Sequence, residues 1–351
     1  MHQRTRYFAM AAIFSLFSCA LFSHNAQATP APNKHPKGYN ATLGGFAYPF
    51  KVKRFAFRSQ GQALQMAYMH LKAKKNRPTF VLFHGKNFSG AYWEQTAKLL
   101  HKQGYGVLMP DQIGFGKSSK PAHYQYSFPQ LAYNSKQLLD ALKLKKVVIV
   151  GHSMGGMLAA RFCLLYPHTA TQLLLVNPIG LENYLQYVQY KDIQFFYKME
   201  QKKTRKKIKQ YQLKNYYDGK WKPSYNRWVD MLAGWTVGPD KDRVAWNNAL
   251  TYDMIFSNPV ITEFNNITQP TVLILGDRDR TGPGRHWKKP GVTYELGRYD
   301  LLGPKVVKML KKGKLFTMKG LGHMPHIEAF PRFKKVLTSA LTHLKLHKSS
   351  R

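Results

Sequence analysis

Acidic residues are scarce in this chain: 17 Asp and Glu stand against 54 Lys and Arg over 351 residues, a formal net charge of +37. That imbalance favours contact with anionic surfaces such as lipid head groups, nucleic acid or acidic polymers. A general bias toward solubility would leave the same excess. No zinc-finger spacing and no RNP-like motif accompanies it, so no specific nucleic-acid reader is expected. Cysteine is scarcer still, with only Cys19 and Cys163. Internal repeats and long low-complexity tracts are lacking, which excludes solenoid and tail-like architectures. Apolar stretches long enough to span a bilayer are lacking too. The stretch from Tyr7 to Phe22 is short for a span and carries several serines.

That stretch follows Arg4 and Arg6 and ends before Ala26-Gln27-Ala28, a small-x-small cleavage site. The pattern is that of a secretory signal peptide over residues 1–28, with Thr29 as the mature start and a periplasmic or secreted destination. Ser15-Leu16-Phe17-Ser18-Cys19 offers the alternative of a lipoprotein signal. After cleavage at Ala28 only Cys163 remains, which excludes an intrachain disulfide even in an oxidising compartment. Among Phe162, Leu164 and Leu165, Cys163 is expected to pack in the core.

Thr29–Lys37 is rich in Pro and Lys without periodicity and reads as a leader. Residues 52–72 read as a hairpin, with apolar residues alternating on either side of Ser59-Gln60-Gly61-Gln62. The pattern then changes to short runs at Thr79–His84, Gly106–Pro110, Val147–Gly151, Leu173–Asn177, Thr271–Gly276 and Leu315–Met318. Most lack alternation, as expected of strands buried on both faces. Amphipathic stretches such as Trp93–Lys102 and Phe128–Leu142 lie between them. Strands alternating with helices predict a mostly parallel sheet flanked by helices. From Leu181 to about Ile267 no clean strand occurs and aromatics are frequent, so 181–267 reads as a helical cap inserted in a core of residues 29–180 and 268–345. Residues 346–351 form a basic tail. Within the insertion, residues 201–210 hold six basic residues and no acid, the pattern of a solvated face or an anionic contact.

The run Val147–Met157 places Ser153 between an aliphatic strand and glycines, as Gly151-His152-Ser153-Met154-Gly155. G-x-S-x-G at a strand-to-helix junction puts the serine on a tight turn, its hydroxyl exposed above the sheet. A serine hydroxyl needs a base to take its proton, and the base needs an orienting acid. Gly276-Asp277-Arg278-Asp279 ends one strand and offers two carboxylates. Gly320-Leu321-Gly322-His323 follows the next and offers an imidazole, with His326 close behind.

In this order these segments resemble an α/β-hydrolase-fold serine hydrolase, together with His84-Gly85 and Asp111-Gln112-Ile113-Gly114-Phe115-Gly116-Lys117-Ser118. The resemblance covers roughly residues 50–345 and is specific for fold more than for substrate. It implies an eight-stranded sheet, Ser153 as nucleophile, His323 as base and Asp279 as acid. Asp277 is left solvated or salt-bridged, and His326 is set aside because the family's base directly follows a glycine. It implies an oxyanion hole from the backbone N–H groups of Met154 and Lys86, with no cofactor and no metal. Asp111 is then a structural turn residue. The chain departs from the family in two ways. Lys86 brings an ammonium to the hole, either to favour an anionic substrate or to reach water. The stretch 280–302 is unusually long and is expected to wall the pocket. A small ester-like substrate is the implied ligand, with weak anionic-surface or membrane contact through the basic residues.

Overall fold

The computed structural model describes residues 38–346. The expected signal peptide, the Cys19 alternative, the leader through Lys37 and residues 347–351 of the tail lie outside them.

Alternation makes the first two strands. β1 (Val52–Ser59) and β2 (Gln62–Leu71) pair antiparallel, Phe55 opposite Met66 and Phe57 opposite Leu64. Gln60 and Gly61 both adopt positive φ at the turn, which matches the strands' twist. The aliphatic runs then supply β3 (Thr79–Phe83), β4 (Gly106–Pro110), β5 (Val147–His152), β6 (Ala170–Val176), β7 (Thr271–Gly276) and β8 (Gly313–Met318). The sheet has eight strands in the order β1-β2-β4-β3-β5-β6-β7-β8. β2 runs antiparallel to both neighbours, and from β4 onward every pairing is parallel.

Successive side chains of the central strands go to opposite faces, so each strand feeds two cores. Phe83, Ile149, Leu175 and Leu273 pack with Leu131, Leu138, Met157 and Val306 on one side. These come from α2 (Phe128–Ala141), α3 (Met154–Leu165) and α8 (Tyr299–Val307). On the other side Leu82, Val148, Leu174 and Ile274 pack with Leu100, Phe333 and Leu337. Those belong to α1 (Glu94–Lys102) and α10 (Phe330–His343), the latter preceded by the short α9 (Pro325–Glu328). Cys163 lies buried in the first core, where burial raises its thiol pKa and makes it unreactive.

Between β6 and β7 the chain forms α4 (Ile193–Gln201), α5 (Arg205–Asn215), α6 (Asn226–Thr236) and α7 (Lys241–Ser257), with no strand of the sheet. Phe196 of α4 stacks on Tyr252 and Phe256 of α7 at 4.9 and 5.7 Å, so much of the aromatic content here is packing. In the basic run, Lys203 pairs with Glu200 at 2.7 Å and Arg205 with Asp230 at 2.7 Å, while Lys206 and Lys207 are exposed. Among the described residues no helix is long and apolar enough to cross a membrane.

Candidate active site

The C-terminal ends of β5, β7 and β8 converge, and each delivers one polar side chain. Ser153 follows β5 with φ 54° and ψ −124°, a conformation unfavourable for a residue with a Cβ. Gly151 and Gly155 make the turn possible. A Cβ on Gly151 would stand 2.2 Å from the carbonyl oxygen of Gly155, and one on Gly155 2.3 Å from that of Phe83. The start of α3 therefore lies directly against β3 and β5, and its N-terminal dipole points toward Ser153.

His323, in the loop after β8, places Nε2 2.9 Å from Ser153 Oγ and Nδ1 2.7 Å from Asp279 Oδ2. Ser153 is 8% exposed, His323 2% and Asp279 not at all. Burial alone would raise the Asp279 pKa. The His323 imidazole, with hydrogen bonds from His323, the Thr281 amide and Asn177 Nδ2, holds it below its ordinary value instead. Asn177 follows β6 at φ 38° and also accepts the Gly276 amide at 3.0 Å, tying the acid's strand to its neighbour.

Behind these groups runs a second hydrogen-bond chain. The Gly85 amide donates to Tyr92 Oη at 2.9 Å, Tyr92 Oη lies 2.9 Å from His152 Nδ1, and His152 Nε2 lies 2.7 Å from the His323 carbonyl oxygen. A carbonyl can only accept, so Nε2 carries the proton and Nδ1 accepts from the tyrosine. Burial, then the nearby His326 and His323, push His152 well below the usual imidazole range, in keeping with a neutral ring. One chain thus joins the loop after β3, the turn holding Ser153 and the loop holding His323.

The remaining candidates fall elsewhere. Asp277, partly exposed and in no salt bridge among the described residues, accepts the Gly320 amide through Oδ1 at 2.7 Å and fixes the loop before His323. His326 is buried against Trp93, ring centroids 4.6 Å apart, and among the described residues neither of its ring nitrogens has a hydrogen-bond partner. Burial and the nearby His323 bring its pKa down to about 3. Asp111 accepts from the Gly90 amide, the Lys117 amide and the Tyr48 hydroxyl at 2.7, 2.7 and 2.6 Å, so it organises a turn.

The Lys86 ammonium does not reach water. It is buried against α7, donating to the Asn248 carbonyl at 2.8 Å and to Thr251 Oγ1 at 3.2 Å, with Nζ 4.8 Å from the Tyr252 ring centroid. Desolvation lowers its pKa to about 7. Its backbone stays beside Ser153, since a Cβ on Gly85 would stand 2.9 Å from the serine Cβ. Among the described residues the amides of Lys86 and Met154 have no acceptor within the protein. Two unengaged N–H groups beside a serine oxygen can receive a developing oxyanion. No group of three or more His, Cys, Asp or Glu able to hold a metal ion occurs among the described residues.

Residues 78–291 match the family model of the alpha/beta hydrolase fold. The crystal structure of a probable hydrolytic enzyme from Pseudomonas aeruginosa PAO1 superimposes with a TM-score of 0.85 and 44% identity, covering 87% of this chain and 99% of that one. The chain belongs to the α/β-hydrolase family. Its matches among curated proteins are partial. An uncharacterized protein of Mycobacterium bovis is 36% identical over 105 residues, 30% of either chain. The 2-hydroxy-6-oxo-2,4-heptadienoate hydrolase of Pseudomonas putida is 30% identical over 106 residues, 29% of this chain and 37% of the relative.

Sequence reasoning missed Asn177, Tyr92 and the bond made by His152. Asn177 left a signal, a polar residue closing an aliphatic strand at the edge where the carboxylate also emerges. Tyr92 left none.

Proposed function

We propose that this protein is a hydrolase that cleaves a carboxylic ester through an acyl-enzyme on Ser153. The unbroken hydrogen-bonded run from Ser153 through His323 to Asp279 carries the reading. Ser153 Oγ attacks the acyl carbon as His323 Nε2 takes its proton, and Asp279 stabilises the imidazolium that forms. The Lys86 and Met154 amides hold the oxyanion. The carbon–oxygen bond then breaks, and the alkoxide leaves with the proton from His323. Water, deprotonated by the same imidazole, attacks the acyl carbon, returning free Ser153 and a carboxylic acid. The buried, unpartnered His326 takes no part.

A fluorophosphonate probe is expected to label the protein once, at Ser153. Ser153→Ala is expected to lose both labelling and turnover of p-nitrophenyl esters of graded chain length. Label retained by the variant would refute the assignment. The likeness to the P. putida hydrolase favours a second reading, hydrolysis of a carbon–carbon bond at the same serine. Labelling at Ser153 without turnover of any ester would favour that chemistry.

A further inference from the structure

The long connection between Asp279 and α8 folds over a depression of about 470 Å³. Its charged lining comprises Arg280, Arg285, His286, Lys288, Glu295 and Arg298. Glu295 is taken by Arg298 at 2.7 Å. Asp300 is taken by Arg298 and Arg280 at 2.7 and 3.3 Å. Arg285 and Lys288 have no carboxylate partner among the described residues. Arg285 is nonetheless held in place. It donates through Nη2 to Asn215 Oδ1 at 2.5 Å, through Nη1 to the Arg280 carbonyl, and through Nε to His286 Nε2 at 3.3 Å. A guanidinium has five N–H groups, so one on each terminal nitrogen remains for an incoming anion.

Each anchor of Arg285 is the chain neighbour of a residue at the serine site. Arg280 directly follows Asp279. Asn215 directly precedes Tyr216, whose ring stacks on His323 with centroids 5.2 Å apart. The Arg285 charge also reaches Tyr252, opposing the burial that raises its hydroxyl pKa. The Lys86 ammonium, by contrast, is spent on α7.

We propose that the depression around Arg285 receives an anionic group, carboxylate or phosphate, carried by the ester cleaved at Ser153. The proposal rests on the esterase reading and names the class of its substrate. A half-buried fork with two unused donors binds a planar or tetrahedral oxyanion more tightly than exposed lysines do. Lys288 adds a second positive charge on the same wall.

The test compares three p-nitrophenyl esters of equal acyl length, ending in a carboxylate, a phosphate monoester or a neutral methyl ester. In the wild-type protein kcat/KM for at least one anionic ester is expected to exceed that of the neutral one about tenfold, mainly through KM, and the preference should shrink with added salt. Whichever anion is preferred identifies the source, a carboxylated small molecule or a phosphorylated one. In Arg285→Gln the anionic-to-neutral ratio should fall about tenfold, and in Arg285→Lys by less, because the charge survives and the fork does not. Should Arg285→Gln fail to fold, the ratio in Lys288→Gln, expected to fall about threefold, decides. Equal rates for neutral and anionic esters, or a ratio unmoved in the deciding variant, would overturn the proposal. Ser153 labelling with neutral-ester turnover would then leave the esterase reading standing, whereas no turnover of any ester overturns both.

Discussion

A lysine whose backbone lies beside Ser153 attracts attention as a charge, yet the Lys86 ammonium is spent on structure. Its pKa is lowered to about 7 against an ordinary value of 10.5. Between those limits the unfolded chain holds a proton that the folded chain excludes, so stability rises with pH from about 7 and levels off near 10.5. The gain from pH 7 to 9.5 should be about 2–3 kcal/mol on this account. Urea melts of the wild type and Lys86→Met at both pH values measure it. The variant should lose most of the increase, and an equal rise in both proteins would show that Lys86 keeps its charge in the fold. The sequence could place this residue after β3 but could not say where four methylenes would carry its nitrogen, because Asn248 and Thr251 arrive from a helix more than 160 positions away.

Elements were more legible than single side chains, for a physical reason. Strands covered on both faces must be apolar throughout, so β4 and β7 begin and end where their runs do. β6 begins earlier than its aliphatic run, at Ala170, because Thr171 and Gln172 are only partly buried and leave no hydrophobic mark. The turn at Ser153 was legible for a similar reason, since backbone contact demands glycine. Gly155→Ala tests that demand. Its Cβ would meet the Phe83 carbonyl at 2.3 Å, backbone against backbone, forcing the start of α3 away from β3. A loss of several kcal/mol in chemical denaturation is expected, since overpacking of this kind moves whole elements. Gly61→Ala is the control. Nothing lies within 4 Å of its Cβ, so only the positive φ is opposed, at a cost of about 1 kcal/mol. Similar losses in the two variants would remove the packing argument for α3. The Tyr92–His152 chain had no comparable signature, because hydrogen bonds between distant loops impose no pattern on either one.

At the scale of the whole molecule, buried neutral imidazoles set the tolerance to acid. His326 is brought down to about 3, His152 well below 6.5 and His84 below it as well, burial being the leading cause for each. Below about pH 6.5 the unfolded chain takes up protons that the folded one refuses, so stability falls with pH at about 1.4 kcal/mol per unit for each such histidine. His152 and His326 together should cost about 3 kcal/mol between pH 6.5 and 5, since each is already half protonated in the unfolded chain at pH 6.5. His326→Phe should recover about half of that at pH 5, because the ring stacks on Trp93 and gives up no hydrogen bond. Guanidinium melts at pH 7 and pH 5 decide it, and equal acid sensitivity in the variant would move the cause to other groups. The chain of hydrogen bonds from Gly85 through Tyr92 and His152 to the loop of His323 has a consequence in time. Its links join positions 60 and 171 residues apart, and the last anchor arrives only with the final strand. A growing polypeptide lacking that strand holds Ser153 without the imidazole that lies 2.9 Å from its hydroxyl, so on the proposed mechanism newly made chains stay chemically silent until β8 and the loop after it are in place.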